Sequence, residues 1–456
     1  MKITMLYMLA ALLLVGSLSC QKAPEGGLNV PFTYYRLDNG LKVVLSQDRT
    51  APIAIVGVYY NIGFRIEPKD RTGFAHLFEH MMFQGSKNLG KMEFIRLVQK
   101  NGGILNGSTR FDFTNYFEIF PAHKFETMLW AEADRMRGLA ITQDNLTNQQ
   151  GVVKNEVKVN VLNQPYGGFP WLDLPQQAFT NWHNAHNFYG DLKDLDAATL
   201  DDVKSFFNTY YAPNNAALVV VGDFDIDQAK QLIAKYFGNI PAVDQPKKPD
   251  LSEPRQEQQK RSSRLDQLAN RPALAFGYQM PARFSPEFIA MGIIDQILLQ
   301  GDDALLREAI VKQRGWAGEI SGGINADLGN MFNYNGPMLW SGSLVHDQSV
   351  QPDSIVAVID NVIETLRSKP VDKETLDRAR VKFRSWFYDQ IGSFLGFGKA
   401  DLLASFALFD NDPAKINTID RQISEVTPEL IQKTAQEYLR PTNQTVLALT
   451  IKPASR

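Results

Sequence analysis

The sequence predicts an α+β protein of two similar α+β domains, each an antiparallel sheet packed by helices, arising from an internal duplication. Three observations predict it. Strand-like and helix-like stretches mix along the chain without a regular β-α-β alternation. A stretch holding Pro241, Pro246, Pro249 and Pro254 among Lys, Asp, Gln, Glu and Arg divides the chain nearly in half. A five-position pattern then recurs on both sides of that stretch at one constant offset.

The chain has 456 residues, too many for one ordinary core. Its composition is globular, and its net charge of -3 advertises no basic surface for nucleic acid. The N-terminus reads as a targeting signal. Met1-Lys2 precedes an apolar run from Ile3 through Leu14, then small residues up to Cys20. The run is short for a membrane span. Ser-Leu-Ser-Cys resembles a bacterial lipobox, with Ser17 where Leu is usual. The expectation is a lipoprotein signal over 1–20, cleavage before Cys20 and a lipid on its sulfur. Residues 21–30 would be a tether. Gln21 rather than Asp after the cysteine favours, by resemblance, the outer membrane facing the periplasm of a bacterial envelope. Cys20 is the only cysteine, so a disulfide and a thiolate metal cluster are both excluded.

Residues 32–60 read as β structure, with an Asn39-Gly40 hairpin signal and a β-branched, aromatic run from Ile53 to Tyr60. Helical patterning follows at 73–84, 91–101, 122–138 and 145–162. The expected domains are 31–242 and 265–456, joined by a linker at 243–264. The repeat behind the duplication is Thr199, Val203, Tyr210, Pro213 and Asn215, matched by Thr427, Ile431, Tyr438, Pro441 and Asn443. Each unit reads as a capped helix, a Pro-Asn turn and a buried strand.

The chemistry lies between Thr72 and Gly85. Phe74, Leu77, Phe78, Met81 and Met82 form an apolar stripe at helical spacing. His76, Glu79 and His80 fall on the opposite face. His76 and His80 are one turn apart, so both imidazoles can reach one ion, and Glu79 stands beside them as a base. Paired histidines on a solvated helix face also arise by chance. Here, however, two of only six histidines share the site with a glutamate opposite a clean apolar stripe. Zinc suits two neutral imidazoles and a carboxylate, with a fourth position for water. Spacing leaves the third ligand open among Glu93, Glu118, Glu126, Glu132 and Glu156. His123, His183, His186 and His346 lack an acidic partner at helical spacing and are expected in surface or hydrogen-bonding roles.

His-x-x-Glu-His is the inverted zinc-peptidase motif. Its surroundings resemble the pitrilysin/insulinase/mitochondrial processing peptidase family. The resemblance rests on Leu37-Asp-Asn-Gly-Leu41, Gly73 through Gly85, Gly102 through Tyr116 and the Tyr-Pro-Asn units of both halves. It implies a half-size zinc-bearing subunit with one Zn2+, and Glu156, in Val152-Val153-Lys154-Asn155-Glu156, as third ligand. It implies that Gly103, Leu105, Asn106 and Gly107 lie on an edge strand that binds peptide. Many relatives carry a glutamate seven residues before the distal one, where this chain has Gln149. Many active relatives also draw an Arg and a Tyr from the second half. The corresponding positions here are Val311 and Gly318, with Arg307 and Arg314 nearby as solvated charges and Trp316 as a core residue. The implied function is a zinc endopeptidase or oligopeptidase with Glu79 as general base. It would act on peptides as the catalytic subunit of a heterodimer whose homologous partner supplies the Arg–Tyr pair. The alternatives are a homodimeric peptidase and a non-catalytic peptide-binding subunit of the same fold.

Overall fold

The computed structural model describes residues 27–452. Cys20 and the tether up to residue 26 lie outside the described residues.

The first half contains strands β1 (Thr33–Arg36), β2 (Lys42–Gln47), β3 (Ile53–Tyr60), β4 (Ile104–Thr109), β5 (Thr114–Pro121) and β6 (Ala216–Gly222). Its helices are α1 (Phe74–Met81), α2 (Glu93–Lys100), α3 (Phe125–Arg137), α4 (Gln143–Val157), α5 (Asp173–Ala178), α6 (Trp182–Ala185), α7 (Leu192–Ala197), α8 (Leu200–Tyr210) and α9 (Ile226–Phe237). The second half contains β7 (Lys260–Asp266), β8 (Ala273–Gln279), β9 (Ser321–Ile324), β10 (Leu339–Val345) and β11 (Gln444–Ile451). Its helices are α10 (Pro286–Leu298), α11 (Pro352–Ser368), α12 (Lys373–Asp410), α13 (Ile419–Glu425) and α14 (Pro428–Tyr438).

The strand orders are β1-β2-β6-β3-β5-β4 and β7-β11-β8-β10-β9. The sheets are mixed rather than wholly antiparallel, because β2 pairs with β6, and β7 with β11, in parallel. A hairpin cannot make those pairs. The partner strand returns only after a long excursion, which the local alternation pattern does not reveal. Register exposes the duplication. Ala217 pairs with Lys42 on one side and Tyr59 on the other; Thr445 pairs with Lys260 and Gly277. Ala217 and Thr445 stand at the same offset as Tyr210 and Tyr438.

The expected linker is shorter than 243–264, because β7 begins at Lys260. The stretch before it is irregular but anchored. Glu253 accepts the backbone N–H groups of Thr180 and Asn181, each at 2.9 Å.

One face of the first sheet packs with α1, α3, α8 and α9 around Leu77, Phe78, Val58 and Val220. The other face is covered by α12, which comes from the second half and packs on β3 and β6. Reciprocally, α5 places Leu174 and Ala178 against Ala275 and Leu447 of the second sheet. Each half therefore closes the other's sheet, and removing either would expose an apolar face. Polar contacts fix the pairing: Tyr59 Oη donates to Asp401 Oδ1 at 3.0 Å, and Arg65 Nη2 donates to the Pro337 carbonyl at 2.6 Å. Helix α12 is broken at Ser393–Gly396, where Phe394 and Leu395 have φ of 47° and 58°. Left-handed backbone costs an L-residue roughly 1–2 kcal/mol.

Candidate active site

Helix α1 forms as the stripe predicts: Phe74, Leu77, Phe78, Met81 and Met82 are all buried. Its N-terminus lacks a side-chain cap of its own, since Gly73 occupies the cap position. Glu67 supplies the cap from the preceding turn. Its Oε2 accepts Gly73 N at 2.9 Å and its Oε1 accepts Ala75 N at 2.5 Å. A carboxylate there satisfies orphan amides and faces the positive end of the helix dipole. Burial holds the Glu67 carboxyl above its usual range, and His186 Nε2 lies 3.7 Å from Oε2. Gly73 has φ of 80°, and a Cβ there would sit 2.5 Å from the Tyr189 carbonyl oxygen. Only glycine lets the Tyr189 segment approach so closely.

On α1 the His76 and His80 rings lie 4.9 Å apart, nearly perpendicular. Helix α4 packs against α1 and is N-capped by Thr142. Gln149, Val153 and Glu156 fall at i, i+4 and i+7, one face of α4. That face delivers Glu156. Its Oε2 is 3.1 Å from His80 Nε2 and its Oε1 is 3.5 Å from His76 Nε2. Tyr189 Oη donates to Oε1 at 3.2 Å. Burial works against the Glu156 anion, but the His80 hydrogen bond and the charges beside it hold its pKa below the usual range. Gln149 is buried beside His80.

The other candidate carboxylates are occupied elsewhere. Glu118 Oε1 is 3.2 Å from Arg135 Nη2, and Glu132 pairs with the same buried guanidinium. Glu93 accepts Gly90 N at 2.6 Å, and Glu126 takes Tyr236 Oη at 2.7 Å and Lys235 Nζ at 3.0 Å. Tertiary packing, not spacing, singles out Glu156.

His76, His80 and Glu156 place one donor atom each within 4.8 Å of one another. Tetrahedral ligands at ~2.0–2.1 Å stand about 3.3 Å apart. The two imidazole–carboxylate distances bracket that value, so the donor set fits a zinc ion. Burial pushes the His76 pKa down to about 4, keeping its imidazole neutral as a ligand must be. Phe188 and Tyr189 each pack at 5.0 Å from the His76 ring and shield it.

Glu79 is not among the converging donors. Its Oε2 accepts Thr109 Oγ1 at 2.8 Å, across from edge strand β4. Burial holds its carboxyl above the usual range, the direction that suits a base working nearer neutrality. Leu105, Asn106 and Gly107 lie on β4, whose outer edge is unpaired; Gly103 immediately precedes it. Asn106 is exposed, whereas Gly103 and Gly107 are buried.

Of the remaining sequence candidates, Gly318 is exposed and Val311 half-buried, far in sequence from the site. Trp316 packs partly against the core, with the Arg314 guanidinium 5.4 Å from its ring. Arg307 Nε meets Asp302 at 3.3 Å. His123 is exposed, His183 Nδ1 meets the Arg65 carbonyl at 3.0 Å, and buried His346 meets the Asp347 carbonyl at 2.9 Å. His186 Nδ1 meets the Trp182 carbonyl at 3.2 Å, a hydrogen-bonding role. It has an acidic neighbour after all, Glu67, brought by folding rather than by helical spacing. Thr109, Glu67, Phe188 and Tyr189 belong to the site, and Glu67, Phe188 and Tyr189 carry no local signal of it. Thr109 alone could have been suspected, from its place in the Asn106-x-x-Thr109 segment.

Two family models match the chain: Insulinase (peptidase family M16) over residues 42–166, and the peptidase M16 inactive domain over 197–383. The zinc protease PqqE of Helicobacter pylori is 26% identical over 423 residues, 91% of this chain and 91% of that protein. An insulin-degrading enzyme homolog of Dictyostelium discoideum is 30% identical over 233 residues, which cover 49% of this chain and 23% of the relative. The bovine mitochondrial-processing peptidase subunit beta is 25% identical over 221 residues, 48% of this chain and 44% of the relative. Among solved structures, a protease from Helicobacter pylori superposes with a TM-score of 0.85 at 24% identity, covering 93% of this chain and 100% of that one.

Proposed function

The chain belongs to the pitrilysin/insulinase family of M16 peptidases, and on that premise we propose that it is a zinc metallopeptidase acting on peptides. The observation that carries this reading is the convergence of His76, His80 and Glu156 beside a separately held Glu79.

His76, His80 and Glu156 would hold the metal. A zinc ion held there would supply Lewis acidity for the scissile carbonyl and the attacking water. Glu79 accepts a proton from the attacking water and returns it to the leaving amine. Thr109 orients that carboxylate by donating to Oε2. Edge strand β4 offers unpaired backbone groups to an extended peptide, which adds as a further strand beside Leu105, Asn106 and Gly107. Phe188 and Tyr189 exclude water from the His76 side.

Val311 and Gly318 offer no side-chain donor for a developing oxyanion. They support the further reading that a homologous partner subunit provides an Arg–Tyr pair. Cys20 supports a lipid anchor to the outer membrane on the periplasmic side. Mass spectrometry of the mature N-terminus tests the anchor: a diacylglyceryl cysteine at position 20 is expected.

The central experiment measures bound metal and peptide hydrolysis for the wild type and Glu79→Gln, each alone and co-expressed with a homologue bearing Arg and Tyr. One zinc per chain, hydrolysis by the wild-type pair and none by Glu79→Gln are expected. Full hydrolysis by the lone chain sinks the partner reading. Zinc with no hydrolysis in any pairing favours a non-catalytic peptide-binding subunit, the role to which Gln149, Val311 and Gly318 lend support.

A further inference from the structure

Strand β4 has two faces. Thr109 reaches Glu79, so Leu105, Gly107 and Thr109 face α1, while Ile104, Asn106 and Ser108 face the other way. On that back face Ile104 pairs with Ile119, and Asn106 with Phe117. Directly paired residues point to the same side of a sheet. Phe117 is therefore a back-face residue, and the break in α12 sits on it. The Phe397 ring stacks on Phe117 at 3.8 Å, and the Phe394 ring meets it edge-on at 6.0 Å.

Two features of this break are unusual. Phe394 and Leu395 are consecutive non-glycine residues with left-handed backbone. They are also largely in solvent, 56% and 62% exposed, and Ile104 on β4 is 44% exposed. A helix end needs neither feature. Phe394 instead holds a large apolar ring in solvent against Phe117 of β5, one strand in from the edge that would receive substrate, while Leu395 stands farther in, over Ile55 and Val221 of β3 and β6.

We propose that the α12 break is a specificity element, with Phe394 and Ile104 forming a subsite for a large apolar substrate side chain. The inference rests on the reading of β4 as the peptide-binding edge. An extended peptide added there alternates its side chains between the two faces. Those on the α1 face meet the metal site. Those on the back face run beside Ile104 and toward Phe394, and an apolar side chain there removes its own surface and theirs from water. The adjoining back-face row, Ile55 and Val221 under Leu395, continues the apolar surface inward as a groove of about 480 Å³.

The test uses matched fluorogenic peptides that differ only in Leu, Phe or Ser walked through successive positions. They are assayed with the wild type and with Phe394→Asn, each in the pairing that gives turnover. Asparagine tolerates left-handed backbone, so the variant loses apolar surface without added strain. The wild type should prefer Leu or Phe over Ser at one back-face position by roughly tenfold or more in kcat/KM. Phe394→Asn should bring that ratio close to one, with the Ser peptide unaffected. The same ratio should appear in peptide Kd on a Glu79→Gln background, which needs no turnover. Hydrolysis with an unchanged ratio in the variant overturns the subsite and leaves the peptidase reading standing. Absence of both hydrolysis and binding in the wild type overturns both.

Discussion

Thr109 Oγ1 donates to Glu79 Oε2 at 2.8 Å, joining the strand that would receive a peptide to the carboxylate that would move its protons. The contact fixes the rotamer of a half-buried carboxylate, and it would couple peptide docking on β4 to the geometry of Glu79.

Thr109→Val keeps the shape and removes the donor. A hydrogen bond to a charged group contributes about 1.5–3 kcal/mol, so kcat should fall roughly tenfold or more, with Thr109→Ser restoring most of it. The pH profile should move as well. Glu79 must be ionised to act, and burial holds its carboxyl above the usual range while Thr109 pulls it down. The acid limb of kcat/KM should therefore shift to higher pH in Thr109→Val than in the wild type. A limb that stays put would show that Thr109 does not touch the working state of Glu79.

Glu156→Gln should abolish stoichiometric zinc, since it removes the anionic member of the donor set. Glu132→Gln should leave metal content intact. That change should instead cost stability, because Glu132 shares the buried Arg135 guanidinium with Glu118. Metal analysis and thermal melting of the two variants separate ligand from core.

Glu67→Ala strips the cap from α1 and leaves the Gly73 and Ala75 amides without their acceptor. A loss of about 2–3 kcal/mol is expected from unsatisfied buried donors. Glu67→Gln, which can still accept one bond, should lose less. Denaturant titration reports both; equal stability of Glu67→Ala and wild type would contradict the cap.

Asp295 gives a pH signature in the second half. It is fully buried, accepts Trp340 Nε1 at 2.7 Å, and burial raises its pKa to about 6. The folded state thus binds this proton more tightly than the unfolded chain. The stabilisation is fully present below pH ~4 and is lost as pH rises through 6. Asp295→Asn keeps an acceptor for Trp340 and cannot ionise. Relative to wild type, it should gain up to about 3 kcal/mol between pH 4 and pH 7, read as the difference in unfolding free energy at each pH.

Much of the fold was legible in local pattern. The period-3.6 stripe of α1, the Asn39-Gly40 hairpin and the Tyr-Pro-Asn units each state their structure within a dozen residues. The parallel pairs β2–β6 and β7–β11 were not legible, because their partners lie far apart in sequence and no short-range alternation encodes direction. The start of β7 at Lys260 was hidden for a related reason. Lys260, Arg261, Ser262, Ser263 and Arg264 look like linker, and become a strand only because β11 pairs with them.

By itself the sequence determined which side chains share the α1 face, since His76, Glu79 and His80 are fixed by helical geometry once the apolar stripe is buried. Spacing could not rank five glutamates, and only the family resemblance pointed to Glu156, because the ranking depends on which helix packs on α1. Packing decided it: α4 brings Glu156 to both imidazoles, Arg135 takes Glu118 and Glu132, and Glu93 and Glu126 turn outward. Packing also decided what surrounds the chemistry. Glu67, Thr109 and the Phe188–Tyr189 pair come from three separate segments of the first half, which meet at α1 only when that half folds. Helical periodicity acts over one turn and is written locally; a site assembled from distant elements is written in the free energy of the whole core.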